Sequence, residues 1–273
     1  MTRLDKVMGE LKNQNKKGLF IYLMAGVPDE AGTIEAVKSA ERAGANVIEL
    51  GIPFSDPLAD GPVIQKAGIQ AIQNGMNLHR LLKLIEKIRC ETQTPLIGMG
   101  YINNIMHYGT EKFVKDFKNA GLDGMIIPDV PHEESVELRA ICKANNFHLI
   151  EFVTPGTTVK RMKETCSSAD GFIYAVSVNG VTGARDGGAQ AFGQASEIDY
   201  SVIGKVVELV KQETNVPLAV GFGIGSPDAA VAAAKHADAV IVGSAVVSRI
   251  LDGKLDEAEA FVASLRTALD SDV

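Results

Sequence analysis

The sequence predicts an α/β protein, a (β/α)8 TIM barrel with an extra helix at its N-terminus. Eight short apolar runs rich in Ile, Val and Leu recur along the 273 residues, with helical patterns between them. Such runs suit strands buried on both faces of a parallel sheet, and their alternation with helices requires parallel crossovers. Eight such units fit a closed barrel better than an open sheet. No linker-like change in composition interrupts the chain, which predicts one domain over residues 1–273.

The individual elements follow from local patterns, beginning with the polar, amphipathic stretch MTRLDKVMGELKNQNKKG, which predicts a helix and no signal segment. The predicted strands are LFIYLMAG (19–26), NVIELGI (46–52), PLIGMGY (95–101), DGMIIPD (123–129), FHLIEFV (147–153), GFIYAVS (171–177), PLAVGFG (217–223) and ADAVIVG (237–243). The segments between them carry apolar residues three and four positions apart, which is the helical period. The helix-to-strand joins ERAGANVIEL, KNAGLDGMII, SSADGFIYAV and KHADAVIVG resemble one another, as expected of repeated units.

Composition excludes several classes of function. The formal net charge is −7 and no Lys/Arg block is present, which argues against nucleic acid as a ligand. The most apolar region, AVAAAKHADAVIVG, is interrupted by Lys, His and Asp, so we expect no membrane span. The five histidines show no metal-ligand spacing, and we expect no metal site. The three cysteines form no CxxC pair, which favours reduced thiols in a cytoplasmic protein.

The first candidate catalytic residue lies in the second predicted strand. Alternation in NVIELGI places Val47, Glu49 and Gly51 on one face of the strand. A carboxylate inside a barrel costs several kcal/mol unless it is paired or protonated. Glu49 is therefore either a member of a structural ion pair or an acid with a raised pKa, suited to proton transfer near neutral pH.

The loop after this strand, in the stretch ELGIPFSDPLADGP, adds two more acids. Active sites of TIM barrels lie on the loops that follow the strands. Asp60, within Ala-Asp-Gly-Pro, suits a turn or a helix cap, and Asp56, within Ser-Asp-Pro, also suits a turn. Their closeness to Glu49 favours a functional role for at least one of them.

Two further loops suggest a bound anion and a lid. The long, Gly-rich and Ala-rich segment 178–200 follows the sixth strand, and its length indicates either a lid over the substrate or a surface loop. The glycines in VGFGIGSP and VGSAVV follow the seventh and eighth strands, where these barrels bind phosphate. Alternatively, the glycines only shape tight turns. Asp129 ends the fourth predicted strand, and Tyr101 and Asn103 end the third. Each suits either a ligand contact or a cap, with caps favoured.

These motifs resemble a known family. The run IELGIPFSDPLADGPVIQ resembles the signature of the tryptophan synthase alpha subunit, and the resemblance extends through IIPDVPHEES, FIYAVSVNGVTGAR, GFGIGSP and VGSAVV to essentially the whole chain. The resemblance implies cleavage of indole-3-glycerol phosphate to indole and glyceraldehyde 3-phosphate, in the last stage of L-tryptophan biosynthesis. It also implies an α2β2 heterotetramer whose beta subunit receives the indole and carries pyridoxal phosphate, with no cofactor in this chain.

The resemblance also implies roles for individual residues. It makes Glu49 and Asp60 the catalytic acids and turns Asp56 toward the beta subunit. The remaining positions are Gly183, Gly223, Gly243 and Ser244 at the phosphate, Tyr22, Met99, Ile127 and Tyr174 around the indole, and Thr182 in the lid. The chain departs from the commoner pattern at Ile21, Met24, Val27 and Asn104, where Pro, Thr, Asp and Pro are frequent.

The implied reaction is a retro-aldol cleavage with two proton transfers. One proton goes to indole C3 and another leaves the hydroxyl that becomes an aldehyde. A single carboxyl with a raised pKa, Glu49, serves both, and the Asp60 carboxylate stabilises positive charge near the indole N–H. Three alternatives stay open. They are another phosphate-binding barrel enzyme, a free-standing indole-3-glycerol phosphate lyase, and a non-catalytic ligand-sensing subunit that activates its partner.

Overall fold

The computed structural model describes residues 1–176 and 200–271, and within these residues eight parallel strands close into a barrel in chain order. The strands are β1 Gly18–Met24, β2 Val47–Gly51, β3 Leu96–Met99, β4 Gly124–Ile126, β5 His148–Val153, β6 Ile173–Val176, β7 Leu218–Gly221 and β8 Ala239–Val242. Strand β1 pairs with both β2 and β8, which closes the sheet. The predicted TIM barrel is confirmed. The strands are shorter than the apolar runs because flanking apolar residues such as Phe147, just before β5, are buried without belonging to a strand.

Helices connect the strands on the outside of the barrel. In the described residues they are α1 Arg3–Asn13, α2 Glu30–Arg42, α3 Pro62–Gln73, α4 Leu78–Glu91, α5 Ile102–Tyr108, α6 Thr110–Ala120, α7 Val136–Ala144, α8 Val159–Ser168, α9 Tyr200–Glu213, α10 Pro227–Ala234, α11 Ser244–Leu251 and α12 Leu255–Ser271. A short 3₁₀ turn, His132–Glu134, precedes α7. Within the same residues, every helix is too short or too polar to cross a membrane.

Helix α1 closes the amino-terminal end of the barrel, which confirms the predicted extra helix. A capping box starts it: the Thr2 hydroxyl accepts a hydrogen bond from the Asp5 amide (3.1 Å), and the Asp5 carboxylate accepts one from the Thr2 amide (2.8 Å). Its apolar face, Leu4, Met8 and Leu11, joins the side chains that fill the barrel interior. Burial of this face explains why a polar segment still carries a helical apolar period.

The barrel buries both faces of its strands. Inward side chains form one apolar cluster with helix α1, and outward side chains form a second, larger cluster with the surrounding helices. Alternation along β2 sends Val47 and Glu49 inward and Ile48 and Leu50 outward. The sequence therefore places Glu49 on a face whose other members are apolar.

Three polar residues tie neighbouring strands together at the amino-terminal end of the barrel. The side chains of Asn46, Asp123 and Asp238, each directly before an even-numbered strand, accept hydrogen bonds from the amides of Leu19 (2.8 Å), Leu96 (3.0 Å) and Leu218 (2.9 Å) at the start of the preceding odd-numbered strands. In the fourth join Asp170 instead lies 3.1 Å from Nδ1 of His148. These contacts explain the repeat in the sequence, since three of the four joins supply the same polar tie.

Candidate active site

Glu49 occupies the barrel interior with no partner among the described residues. Its side chain is fully buried, and both carboxylate oxygens lack a hydrogen bond there. Burial alone raises the pKa of Glu49 from 4.5 to about 8. The structural ion pair, one of the two interpretations of the sequence, is absent from the described residues. A carboxyl in this position is protonated at neutral pH and can act first as an acid and then as a base.

Asp60 lies on the loop between β2 and α3, beside the carboxyl end of the barrel. Its backbone is fixed on both sides, since its amide donates to the Pro57 carbonyl (3.1 Å) and its carbonyl accepts from the Gln65 side-chain amide (2.9 Å). The N-cap residue of α3 is Gly61, so Asp60 does not occupy the capping position that the sequence allowed. Burial raises the pKa of Asp60 to about 6, and a hydrogen bond from Tyr101 opposes that rise.

Tyr101 is the contact that sequence reasoning did not assign to Asp60. Its hydroxyl accepts a hydrogen bond from the Ala59 amide at 3.0 Å, next to Asp60, and lowers the pKa of the Asp60 carboxyl. Its ring stacks on Phe54, with centroids 5.2 Å apart. Because the three residues that meet Tyr101 all lie over forty positions earlier, no local pattern could have shown these contacts.

Two buried tyrosines line the interior near both acids. Burial raises the pKa values of Tyr22 and Tyr174 well above the ordinary value, and the negative charges of Glu49 and Asp60 add to the shift in each. The four predicted residues are thus brought together. The phenol of Tyr22 lies directly against Gly51, where a Cβ would meet its oxygen at 2.0 Å, so position 51 requires glycine.

The aromatic wall extends beyond the predicted residues. The ring of Tyr174 lies 5.3 Å from that of Phe152 and 6.0 Å from that of Phe222, measured between centroids. Phe152 could have been found from the sequence, because alternation from His148 along β5 points it inward. Met99, a predicted pocket residue, is partly buried and packs against both the interior and the outer cluster.

Ile127 requires a correction. The side chain of Ile127 packs in the outer cluster between sheet and helices, whereas Ile126 belongs to the interior cluster. Alternation along β4 explains the difference, since the last residue of the strand points inward and its successor therefore points outward. Ile126 is the residue of this pair that faces the acids' side of the sheet.

The predicted phosphate site lies at the loops after β7 and β8. Phe222 and Gly223 both adopt left-handed backbone conformations, with φ of 78° and 77°. A left-handed phenylalanine is a strained conformation of the kind that clusters at functional sites. Gly243 is the N-cap of α11 without a side-chain cap, and Ser244 is its first residue. Thr182 and Gly183, with most of the 178–200 segment, lie outside the described residues.

The departures from the family pattern fall in two places. Ile21 and Val27 are buried in the outer core, with Met24 beside them. Asn104, in α5, reaches the loop that carries Asp60, since its side-chain amide lies 3.5 Å from the Pro53 carbonyl oxygen. Asp56 is exposed on that loop and accepts a hydrogen bond from the Ser55 hydroxyl. Asp56 thus turns toward solvent rather than toward Glu49.

The fold and the site together define a class: a TIM barrel that holds a neutral buried acid in its interior and a second carboxyl group nearby. In the described residues, no group of three His, Cys, Asp or Glu side chains is arranged to hold a metal ion. The sequence profile of the tryptophan synthase alpha chain family matches residues 8–271. The chain belongs to the tryptophan synthase alpha chain family. The alpha chains of this family cleave indole-3-glycerol phosphate, a lyase reaction of tryptophan biosynthesis, and work with a beta subunit.

Individual relatives agree with this assignment. The tryptophan synthase alpha chain of a Thermoanaerobacter strain is 40% identical over 274 residues, covering 98% of this chain and all of that one. Tryptophan synthase subunit alpha from Legionella pneumophila is 32% identical, with a TM-score of 0.87 over 99% of both chains. A chain of tryptophan synthase from Mycobacterium tuberculosis, in an aminoacrylate-bound form, is 29% identical, with a TM-score of 0.85 over 98% of this chain and all of that one.

Proposed function

We propose that Glu49 and Asp60 carry out the cleavage of indole-3-glycerol phosphate in this chain. Protonated Glu49 delivers a proton to indole C3, and the carbon–carbon bond to the hydroxyl-bearing carbon then breaks. The hydroxyl proton passes to the Glu49 carboxylate as the aldehyde forms, which restores the acid for the next turnover. The observation that carries the proposal is the buried, unpartnered Glu49 carboxyl with its pKa raised to about 8.

Asp60 takes the electrostatic role. When C3 is protonated, positive charge develops at the indole nitrogen, and an ionised carboxylate held there stabilises it. A pKa of about 6 keeps Asp60 ionised at neutral pH while Glu49 stays protonated. Tyr22, Met99, Ile126 and Tyr174 would pack around the indole ring. Two acids with well separated pKa values suit this division of roles, in which the protonated acid transfers the proton and the ionised acid stabilises positive charge.

The loops after β7 and β8 would bind the substrate phosphate through Gly223, Gly243 and Ser244, together with Gly183. The uncapped start of α11 supports this role, because free amides at a helix N-terminus favour an anion. Thr182 would close the lid over the bound substrate. Binding of the phosphate, remote from the bond that breaks, then holds the indole in its reactive pose.

Ser244→Asp is expected to raise KM for indole-3-glycerol phosphate with little change in kcat, because the new carboxylate repels the phosphate. Loss of a charge-assisted contact predicts an increase of about 10- to 100-fold. Gly223→Val should act the same way by straining a left-handed position. Steady-state kinetics of indole release measure both, with Ser248→Asp, one turn further along α11, as the matched control. Unchanged KM in both site variants would contradict the phosphate assignment.

We further propose that the beta subunit docks on the loop bearing Asp60 and on α5, in an α2β2 assembly whose pyridoxal phosphate resides in the beta subunit. A cavity of about 610 Å³ lies there, lined in part by Phe54, Asn104 and Tyr108. Leu58 and Met106 beside it are 83% and 65% exposed, which is unusual for large apolar side chains. Because the same loop holds Asp60, docking at this face can adjust the catalytic carboxylate.

Leu58→Asp is expected to abolish most of the activation of indole release by a beta subunit while leaving the isolated chain's rate unchanged. The charge would be buried against the partner, which disfavours the complex. Turnover of indole-3-glycerol phosphate with and without a beta subunit measures the effect. Leu209→Asp, at a residue 42% exposed on α9, is the control. Indole formation by the isolated wild type would exclude the non-catalytic alternative, and absence of activation by the beta subunit would favour a free-standing lyase.

The remaining proposals concern the chain as a whole. We propose that residues 1–273 form one domain and that the protein works in the cytoplasm. The three free cysteines support a reducing compartment. Two of them, Cys142 and Cys166, are buried, and burial raises the pKa of each thiol. Such thiols are inert, which agrees with a reaction that needs no cysteine.

A further inference from the structure

Asp129, just after β4, caps a helix that starts from the neighbouring strand. Both of its carboxylate oxygens accept the backbone amide of Ile102, at 3.1 and 3.3 Å. Ile102 is the first residue of α5, and the N-cap residue of that helix, Tyr101, makes no side-chain cap of its own. Asp129 therefore supplies, from another loop, the acceptor that a helix start requires.

This cap acts on the residue that holds Asp60. Tyr101 directly precedes the capped amide, and its hydroxyl accepts a hydrogen bond from the Ala59 amide, beside the Asp60 carboxyl whose pKa it lowers. On the other side of Tyr101, the Gly100 amide donates to the Ile126 carbonyl at 3.1 Å. The residues on both sides of Tyr101 are thus hydrogen-bonded to β4 or to the loop after it. Gly100 is held by the Ile126 carbonyl, and Ile102 is held by the Asp129 carboxylate.

We infer that Asp129 is a positioning residue for the cleavage reaction, because it fixes the start of α5 so that the Tyr101 hydroxyl stays on the Asp60 carboxylate. The inference rests on the proposed function, in which Asp60 is the charge-stabilising carboxylate. Asp129 makes this contribution without touching the reacting atoms.

The hydrogen-bond chain gives Asp129 a measurable influence on Asp60. The Tyr101 hydroxyl lowers the pKa of Asp60 against the opposing effect of burial. When Tyr101 is released, Asp60 loses that stabilisation of its charged form and its pKa rises. The rate falls at low pH because Asp60 becomes protonated there. With a higher pKa for Asp60, this acid limb of the pH–rate profile moves to higher pH. A purely structural role for Asp129 would lower the rate without moving this limb.

The decisive experiment is the pH dependence of indole release by Asp129→Ala and Asp129→Asn in the presence of the beta subunit. Loss of a helix cap costs about 1 kcal/mol of free energy. If that amount is lost from the stabilisation of the transition state, Asp129→Ala should lower kcat about fivefold with KM little changed. The acid limb should also move to higher pH. Asp129→Asn retains an acceptor oxygen for the Ile102 amide and should restore most of the rate and the wild-type limb. An unmoved limb in Asp129→Ala, or no rescue by Asp129→Asn, would overturn the inference.

A double-mutant cycle with Tyr101→Phe provides the second readout. If Asp129 acts through Tyr101, adding Asp129→Ala to Tyr101→Phe should produce no further shift of the limb. Fully additive shifts would overturn the inference. Titration of the Asp60 carboxyl by ¹³C NMR reports the same shift without turnover. An inactive wild type would therefore reject the proposed function, whereas an active wild type with an unshifted Asp60 in Asp129→Ala would reject only the role of Asp129.

Discussion

Glu49→Gln is expected to fold normally and to lose cleavage of indole-3-glycerol phosphate by about 10²- to 10⁴-fold, the usual contribution of a general acid and base. The amide fills the same space in the barrel interior but can neither give a proton to C3 nor take one from the hydroxyl. The Glu49 carboxyl makes no hydrogen bond in the described residues, so the substitution breaks no contact seen there. Single-turnover formation of indole, with substrate saturating, isolates the chemical step.

The same variant should differ from wild type in the pH dependence of its stability. The pKa of Glu49 is about 8 in the folded protein against 4.5 in the unfolded chain, so between these values the folded state retains a proton that the unfolded state has lost. Wild-type stability therefore falls as pH rises from 4.5 to 8, and the loss is complete above 8. Glutamine does not titrate, so Glu49→Gln should be more stable than wild type at alkaline pH, by up to about 5 kcal/mol on linkage grounds.

Urea denaturation from pH 5 to pH 9 measures this difference. Glu151→Gln is the matched control, because Glu151 is also a buried glutamate in the barrel wall but pairs with Arg139 and His132 on the outer face. This control should keep its activity and lose stability. Near-normal turnover in Glu49→Gln would reject Glu49 as the proton carrier, and equal stability slopes in wild type and variant would reject its raised pKa.

Asp60→Asn is expected to lower kcat by about 10²- to 10³-fold, comparable with the loss of one electrostatic group at a reacting centre. Asparagine keeps the shape of the side chain and can still meet the Tyr101 hydroxyl, but it cannot offset positive charge at the indole nitrogen. Since the phosphate loops are untouched, KM should change little. Steady-state kinetics of indole release test this, and Asp56→Asn, on the same loop but exposed, should leave the isolated chain's rate unchanged. A large rise in KM with normal kcat would make Asp60 a binding residue instead.

Much of the architecture could be predicted because it depends on local patterns. The apolar runs and their alternation with helices specify the parallel barrel, and period-two alternation placed Glu49 inside it. The indole contact at Ile127, by contrast, is implied only by the family resemblance, and alternation along β4 points this side chain outward. The structure corrected this by showing Ile126 in the interior cluster.

Contacts between distant loops could not be predicted. A cap was the favoured interpretation of Asp129, but its partner, the Ile102 amide at the start of α5, lies on another loop. This cap and the contact of Tyr101 with the Ala59 amide beside Asp60 join segments that meet only when the barrel closes. The sequence left Asp60 open as a turn or cap acid, and in the structure the N-cap residue of α3 is Gly61. The roles assigned to Gly183 and Thr182 stay predictions, as does the single domain over 1–273.

The polar ties made by Asn46, Asp123 and Asp238 have a consequence for how the chain tolerates change. They set the strand register at the amino-terminal rim, at the opposite end of the barrel from both acids and the glycine loops. Substitutions at that rim should therefore reduce the yield of folded protein, whereas substitutions at the mouth should reduce turnover while sparing the yield. The substrate loops and the partner face can therefore change in evolution while the register of the strands stays the same.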